Sequence, residues 1–251
     1  MSLSVPIEGS RALVTGAGRG LGRSFVDGLL GRGAAKVYAG SRVPNSWDDD
    51  RVVPIELDVT DPVQVRSAAE RCRDVDLLVN NAGIMRLTPL IGSDDDSAAR
   101  DELEVNFFGT LAMCRAFAPV LAANGGGAIV DVLSVASWVA PPASGGYGAS
   151  KSAAWALTNA ARVELREQGT LVVAVHAGFI DTEMVTRVKA PKISPADVVA
   201  QVLDGVESGA EEILADDESR ETKAALPRDL EVLYPRLQRL WDGRRRGRAR
   251  E

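Results

Sequence analysis

Short, uninterrupted apolar runs separated by stretches with helical periodicity constrain this chain more than any other feature. Ala12–Val14, Lys36–Gly40, Val52–Leu57, Val75–Val79, Ala128–Leu133 and Leu171–Val175 read as strands. Between most of them lie helical patterns: Leu21–Leu30, Asp61–Cys72, Ala98–Ala122 and Tyr147–Glu167. Strands that are apolar throughout, rather than alternating, are buried on both faces, and helical crossovers make their neighbours parallel. The expectation is a single-domain α/β protein with a doubly wound parallel sheet of seven strands and helices on both faces. Pro54 tests the topology. Proline cannot donate to a ladder and belongs on an edge strand, and in the order 3-2-1-4-5-6 the third strand is the edge.

Composition narrows the function. With 251 residues, 45% of them apolar and 25% charged, the chain can bury a large core without staples. A net charge of −6 opposes a nucleic-acid or anionic membrane surface. Cys72 and Cys114 lack motif spacing and fit packed thiols in a reduced compartment. No signal peptide is evident in Met1–Gly9, and Leu111–Ala123 is broken by Arg115 and Pro119, so the expected setting is cytoplasmic. The basic end, residues 244–251, reads as a solvated, disordered tail, with binding of a partner as the alternative.

Thr15-Gly16-Ala17-Gly18-Arg19-Gly20-Leu21-Gly22 follows a strand and opens a helix, the context of a dinucleotide site. Gly16 permits a tight turn, Gly20 a close backbone approach to a pyrophosphate, and Gly22 helix–strand packing; the helix start offers free amides. By itself a plain turn explains it equally. Ser41 and Arg42 stand at the end of the second strand where an acidic residue would meet a ribose 2′-hydroxyl, and Arg19 stands nearby in the loop. Two guanidinium groups suit a 2′-phosphate, so NADP(H) is expected over NAD(H), the alternative being two solvated arginines. Asp58, followed by Val59, ends the third strand and could meet an adenine amino group or cap the next helix. Asn80-Asn81-Ala82-Gly83 ends the fourth strand, facing the ligand crevice or forming an ordinary Asx turn.

Tyr147 and Lys151 share a helical face, with Ser134 at a strand end thirteen residues before Tyr147. A phenol titrates near ~10, and a neighbouring ammonium lowers that value and fits the phenol for proton exchange. A surface pair is the alternative. His176, the only histidine, fits a packed or loop position, and one histidine excludes a multi-histidine metal site. Asp48–Asp50 and Asp94–Asp96 read as solvated loops or caps rather than metal ligands.

Together Thr15-Gly16-x-x-x-Gly20-x-Gly22, Asn80-Asn81-Ala82-Gly83, Asn106, Ser134 and Tyr147-x-x-x-Lys151 resemble the short-chain dehydrogenase/reductase family over roughly residues 8–185. The resemblance implies that Tyr147 is the acid/base and Ser134 polarises a substrate carbonyl. Lys151 would hold the nicotinamide ribose and lower the Tyr147 pKa, and Asn106 would anchor a water of the proton relay. Thr182, with Gly178 and Ile180 before it, matches the segment that contacts the nicotinamide end. Ala177 replaces the family's usual proline, Leu133 its frequent second serine, and the C-terminal end departs from its usual close. The implied function is NADPH-dependent reduction of a ketone or aldehyde to an alcohol, reversibly, by a homodimer or homotetramer. A redox-inactive NADP(H)-binding regulator and an epimerase or dehydratase are the alternatives. The brief segment from Thr182 to Ser194 implies an open pocket for bulky apolar carbonyls, with Trp138, Phe179 and Met184 among the candidates to line it.

Overall fold

The computed structural model describes residues 3–186 and 188–248, without the side chains of 244–248. Its strands are β1 (Arg11–Thr15), β2 (Lys36–Ser41), β3 (Val52–Glu56), β4 (Leu77–Asn80), β5 (Gly127–Val132), β6 (Thr170–His176) and β7 (Glu212–Leu214). They form one sheet in the order β3-β2-β1-β4-β5-β6-β7, with every pair parallel. The helices are α1 (Gly20–Gly31), α2 (Pro62–Arg71), α3 (Ser97–Leu103), α4 (Thr110–Ala123), α5 (Gly145–Glu164), α6 (Pro195–Ser208), α7 (Asp217–Ala225) and α8 (Asp229–Arg248). This is the expected doubly wound fold. Pro54 lies in the edge strand β3, in register with Ala39 of β2, and no helix joins β2 to β3.

Two apolar layers cover the sheet. On one face Phe25, Val26 and Leu29 of α1 pack with Val198, Val202 and Leu203 of α6. On the other, Val65 of α2 and Met113, Phe117 and Leu121 of α4 pack against Leu13, Leu78 and Ile129. The sequence predicts one helix over Ala98–Ala122; residues 97–123 are indeed helical throughout, but Glu104–Gly109 winds as a π-helix between α3 and α4. The 97–123 stretch is long and apolar enough to cross a membrane by length and composition, and one face of it, with Met113, Phe117 and Leu121, packs on the sheet. Its π-segment places Asn106 in the interior.

The last helix, α8, runs to Arg248, within the basic stretch 244–251. Arginine is a good helix former, so extending an existing helix costs little. Residues 249–251 lie outside the described residues.

Phe117 is fully buried between α4 and the sheet. Phe117→Ala is expected to cost about 3–5 kcal/mol, read as a lower midpoint of urea unfolding with an unchanged slope.

Candidate active site

The glycine turn is built by exclusion of side chains. Gly16 and Gly20 have φ of +66° and +52°, which disfavours any residue with a Cβ. A Cβ on Gly22 would run into the Gly16 carbonyl and stand 2.6 Å from Asn81 Nδ2. The Thr15 hydroxyl accepts the Asn81 and Ala82 amides at 3.0 Å each, and Asn81 Nδ2 donates to the Thr15 carbonyl at 2.9 Å. These bonds lock the end of β1 to the exit of β4. Arg19 caps α1 without a side-chain bond, and the first turn carries no acidic residue. The leading amides of α1 therefore have no side-chain acceptor, and with the close approach at Gly22 they fit a dinucleotide's pyrophosphate. Leu21 is buried beneath them.

The neighbouring β2 end carries Ser41 and an exposed Arg42. Ser41 Oγ donates to Val43 O at 2.8 Å, and Gly18 faces the Ser41 side chain. Arg19 is exposed, with Nε 3.6 Å from Glu183 Oε2, a weak surface pair that leaves its donors available. Asp58 does not cap α2: its Oδ1 accepts from the Thr60 amide at 3.0 Å and hydroxyl at 2.7 Å, closing a turn ahead of the helix. Asp61 caps α2, and Val59 is buried opposite Gly109.

The two asparagines after β4 divide their tasks. Asn80, expected in the crevice, is buried and donates from Nδ2 to Asp131 Oδ1 at 2.8 Å. Asn81 holds the glycine turn instead. Sequence reading passed over Asn81 as a site residue, although neighbours in an extended chain point to opposite sides. It also passed over Asn45, whose Nδ2 donates to Gly18 O at 2.7 Å from the β2–β3 connection. A loop-to-loop bond of this kind leaves no periodic signal.

Ala82 and Gly83 join the two halves of the site. A Cβ on Gly16 would meet Ala82 Cα at 3.0 Å, and one on Gly83 would meet Asn106 Oδ1 at 3.1 Å and Lys151 Nζ at 3.6 Å. Asn106 is fully buried: Nδ2 donates to Ile84 O and Ser150 Oγ, both at 2.9 Å, and Oδ1 accepts the Ile84 amide at 2.8 Å. Its carbonyl accepts the Thr110 hydroxyl at 2.9 Å. Asn106 thus ties the chain beyond β4 to α5.

Ser134 follows β5 with extended backbone and caps a short 3-10 turn, Oγ accepting the Ala136 amide at 3.1 Å. Tyr147 and Lys151 stand one turn apart on α5, with Lys151 Nζ 5.9 Å from the phenol ring centroid and donating to Val132 O at 2.8 Å. Burial pushes the Tyr147 phenol up to about 12; the hydrogen-bonded Ser134 hydroxyl opposes the rise, and Glu102 adds to it. Burial brings Lys151 down to about 8, against the pull of Asp131. The lowering of the Tyr147 pKa expected from Lys151 is therefore not present in this arrangement. The ammonium faces a main-chain carbonyl, and the influences on the phenol are burial, Ser134 and Glu102. The phenol is held protonated at neutral pH.

Beyond β6, the Gly178 amide donates to Asp216 Oδ2 at 2.7 Å. Ile180 bridges to Ile193, closing the base of the 182–194 segment, and Thr182 packs over Gly20. Val139 and Val185 are buried, while Met184 is exposed.

This geometry defines a dinucleotide-binding α/β protein with a Ser–Tyr–Lys cluster at the carboxyl ends of its strands. The short chain dehydrogenase family profile matches residues 10–192, and the chain belongs to that family. The 3-oxoacyl-[acyl-carrier-protein] reductase FabG of Escherichia coli (strain K12) is 31% identical over 215 residues, covering 82% of this chain and 87% of that protein. Sorbitol dehydrogenase of Cereibacter sphaeroides is 34% identical over 187 residues, 70% of this chain and 73% of that one. A short chain dehydrogenase from Burkholderia cenocepacia J2315, solved in complex with NADP, is 46% identical with a TM-score of 0.88, covering 93% of this chain and 99% of its own.

His176 yields a stability prediction. Burial lowers its pKa from 6.5 to about 4, so the folded state resists a proton that the unfolded chain accepts. Its contribution is complete above pH ~6.5 and is lost as pH falls towards 4, on the order of 3 kcal/mol in all. Urea unfolding between pH 7 and 4.5 should show this loss, and His176→Asn should reduce the slope.

Proposed function

We propose that the protein is an NADPH-dependent oxidoreductase that reduces a ketone or aldehyde to an alcohol, reversibly. The observation that carries this reading is the junction at Gly83, where the glycine turn's supporting segment meets Lys151 and Asn106 beside Tyr147 and Ser134. Gly16, Gly18, Gly20 and Gly22, with the free amides of α1, would hold the pyrophosphate. Ser41, Arg42 and Arg19 would meet the 2′-phosphate; the NADP complex of the 46% identical relative supports that preference. Lys151 and Tyr147 would hold the nicotinamide ribose, with Gly178, Ile180 and Thr182 at the nicotinamide end. When bound, the nicotinamide supplies the hydride.

The chain's own residues supply the rest. Tyr147, protonated at neutral pH, gives its proton to the carbonyl oxygen as that oxygen becomes an alkoxide. Ser134 Oγ–H donates to the same oxygen and stabilises its charge. Lys151 would hold the nicotinamide ribose hydroxyls beside the phenol, and a water anchored by Asn106 would belong to the relay that returns the phenol's proton. Asn106 fixes the segment through which the proton is replaced. Buried free thiols accord with a cytoplasmic setting. Exposed Phe108 and Val163, on the helical stretches that hold Asn106 and Tyr147, accord with a homodimer or homotetramer.

Tyr147→Phe should abolish carbonyl-dependent NADPH oxidation while NADPH still binds, read by fluorescence titration, because the other cofactor contacts remain. Ser134→Ala should lower kcat by about 10²–10³. Arg42→Ala should weaken NADPH far more than NADH, with a loss of roughly tenfold or more from one charge-assisted contact. Turnover retained in the Tyr147 variant would end the mechanism.

A further inference from the structure

His176 takes no part in the chemistry above. It ends β6 fully buried, and its Nδ1 lies 3.0 Å from the main-chain oxygen of Ser134. A carbonyl oxygen only accepts, so Nδ1 carries the ring proton and donates it. The imidazole also stacks on Trp138, with ring centroids 3.9 Å apart and planes inclined by 24°. Trp138 closes the 3-10 turn that Ser134 begins. Lys223 of α7 lies 5.0 Å from the same indole ring and donates to Glu212 Oε1 at 2.7 Å. That carboxylate oxygen is 3.9 Å from His176 Nε2, too far to bond, and Nε2 has no partner among the described residues.

An imidazole buried with one nitrogen unpaired is a costly core residue, and an apolar side chain of the same volume would avoid that cost. The imidazole supplies what an apolar side chain does not, a donor to the carbonyl of Ser134, whose hydroxyl accepts the Ala136 amide at 3.1 Å and donates to the Ala177 carbonyl at 3.5 Å. Main-chain bonds to β6 and its extension hold the residues on either side, Leu133 N to Val175 O at 2.8 Å and Val135 N to Ala177 O at 3.0 Å. We propose that His176 is a positioning residue for Ser134: its Nδ1–H and its stack on Trp138 fix the Ser134 peptide plane and so the direction of the serine hydroxyl. The kinetic consequence rests on the reductase reading; the clamp itself does not.

Two variants separate the donor from the volume. His176→Asn keeps a donor near the Nδ1 position, and His176→Leu keeps the bulk without it. Hydrogen exchange of the segment 133–140 should quicken by about tenfold in the Leu variant and stay near wild type in the Asn variant, with β1 and α1 unchanged in both. In carbonyl reduction the Leu variant should lose about 10²-fold in kcat with NADPH affinity unchanged, and Asn should recover most of it. In a Ser134→Ala background, His176→Leu should cost nothing further, because it acts only through that serine. Wild-type exchange and turnover in the Leu variant, equal losses in Asn and Leu, or additivity with Ser134→Ala would each overturn the proposal. If the Leu variant does not fold, His176→Gln replaces it, with the donor moved out of reach and the same losses expected. A wild-type enzyme without carbonyl reduction would sink the reductase reading, while the exchange measurement still decides the clamp.

Discussion

The site depends on one carboxylate that has no access to water. Asp131 in β5 is buried, Oδ1 accepting from Asn80 of β4 and Oδ2 from Thr158 of α5, each at 2.8 Å. Burial raises its pKa and these two bonds pull it back. A buried carboxyl must be satisfied, so β4, β5 and α5 have one acceptable arrangement about it. One residue on, Val132 accepts from Lys151. The helix that carries Tyr147 and Lys151 is thereby pinned to the sheet by polar groups, which an apolar interface alone would position less sharply.

A second lock acts at the other half of the crevice. Thr15 and Asn81 bring the ends of β1 and β4 together, and the absent side chain at Gly22 lets α1 begin directly behind them. Gly83 then lies between this lock and Lys151. The distance from the glycine turn to the phenol is thus set by short, buried polar contacts and not by the longer loops around the crevice.

Most of the fold was legible because parallel strands covered on both faces write continuous apolar runs, and Pro54 marked the edge. The Ser134, Tyr147 and Lys151 set was picked out by its resemblance to the family's motif order, because the spacing of Tyr147 and Lys151 alone fits a surface pair equally. What escaped depended on side-chain direction or on solvation. Asn80 turns inward and Asn81 towards the glycine turn, although both sit in one motif. Asp58 is engaged by Thr60. The Tyr147 pKa follows the balance of burial against charge, and that balance belongs to the tertiary structure.

The π-segment at Glu104–Gly109 has a consequence for how this scaffold can change. One helical rod serves two masters: its early part meets the crevice through Asn106, while its later part seals the sheet through Met113 and Phe117. The wider winding sets the angular phase between them. Removing a single residue there would swing one part by about a quarter turn or more relative to the other. Insertions and deletions are therefore confined to the loops at either end of the rod, and diversification of the crevice must proceed by substitution along its walls.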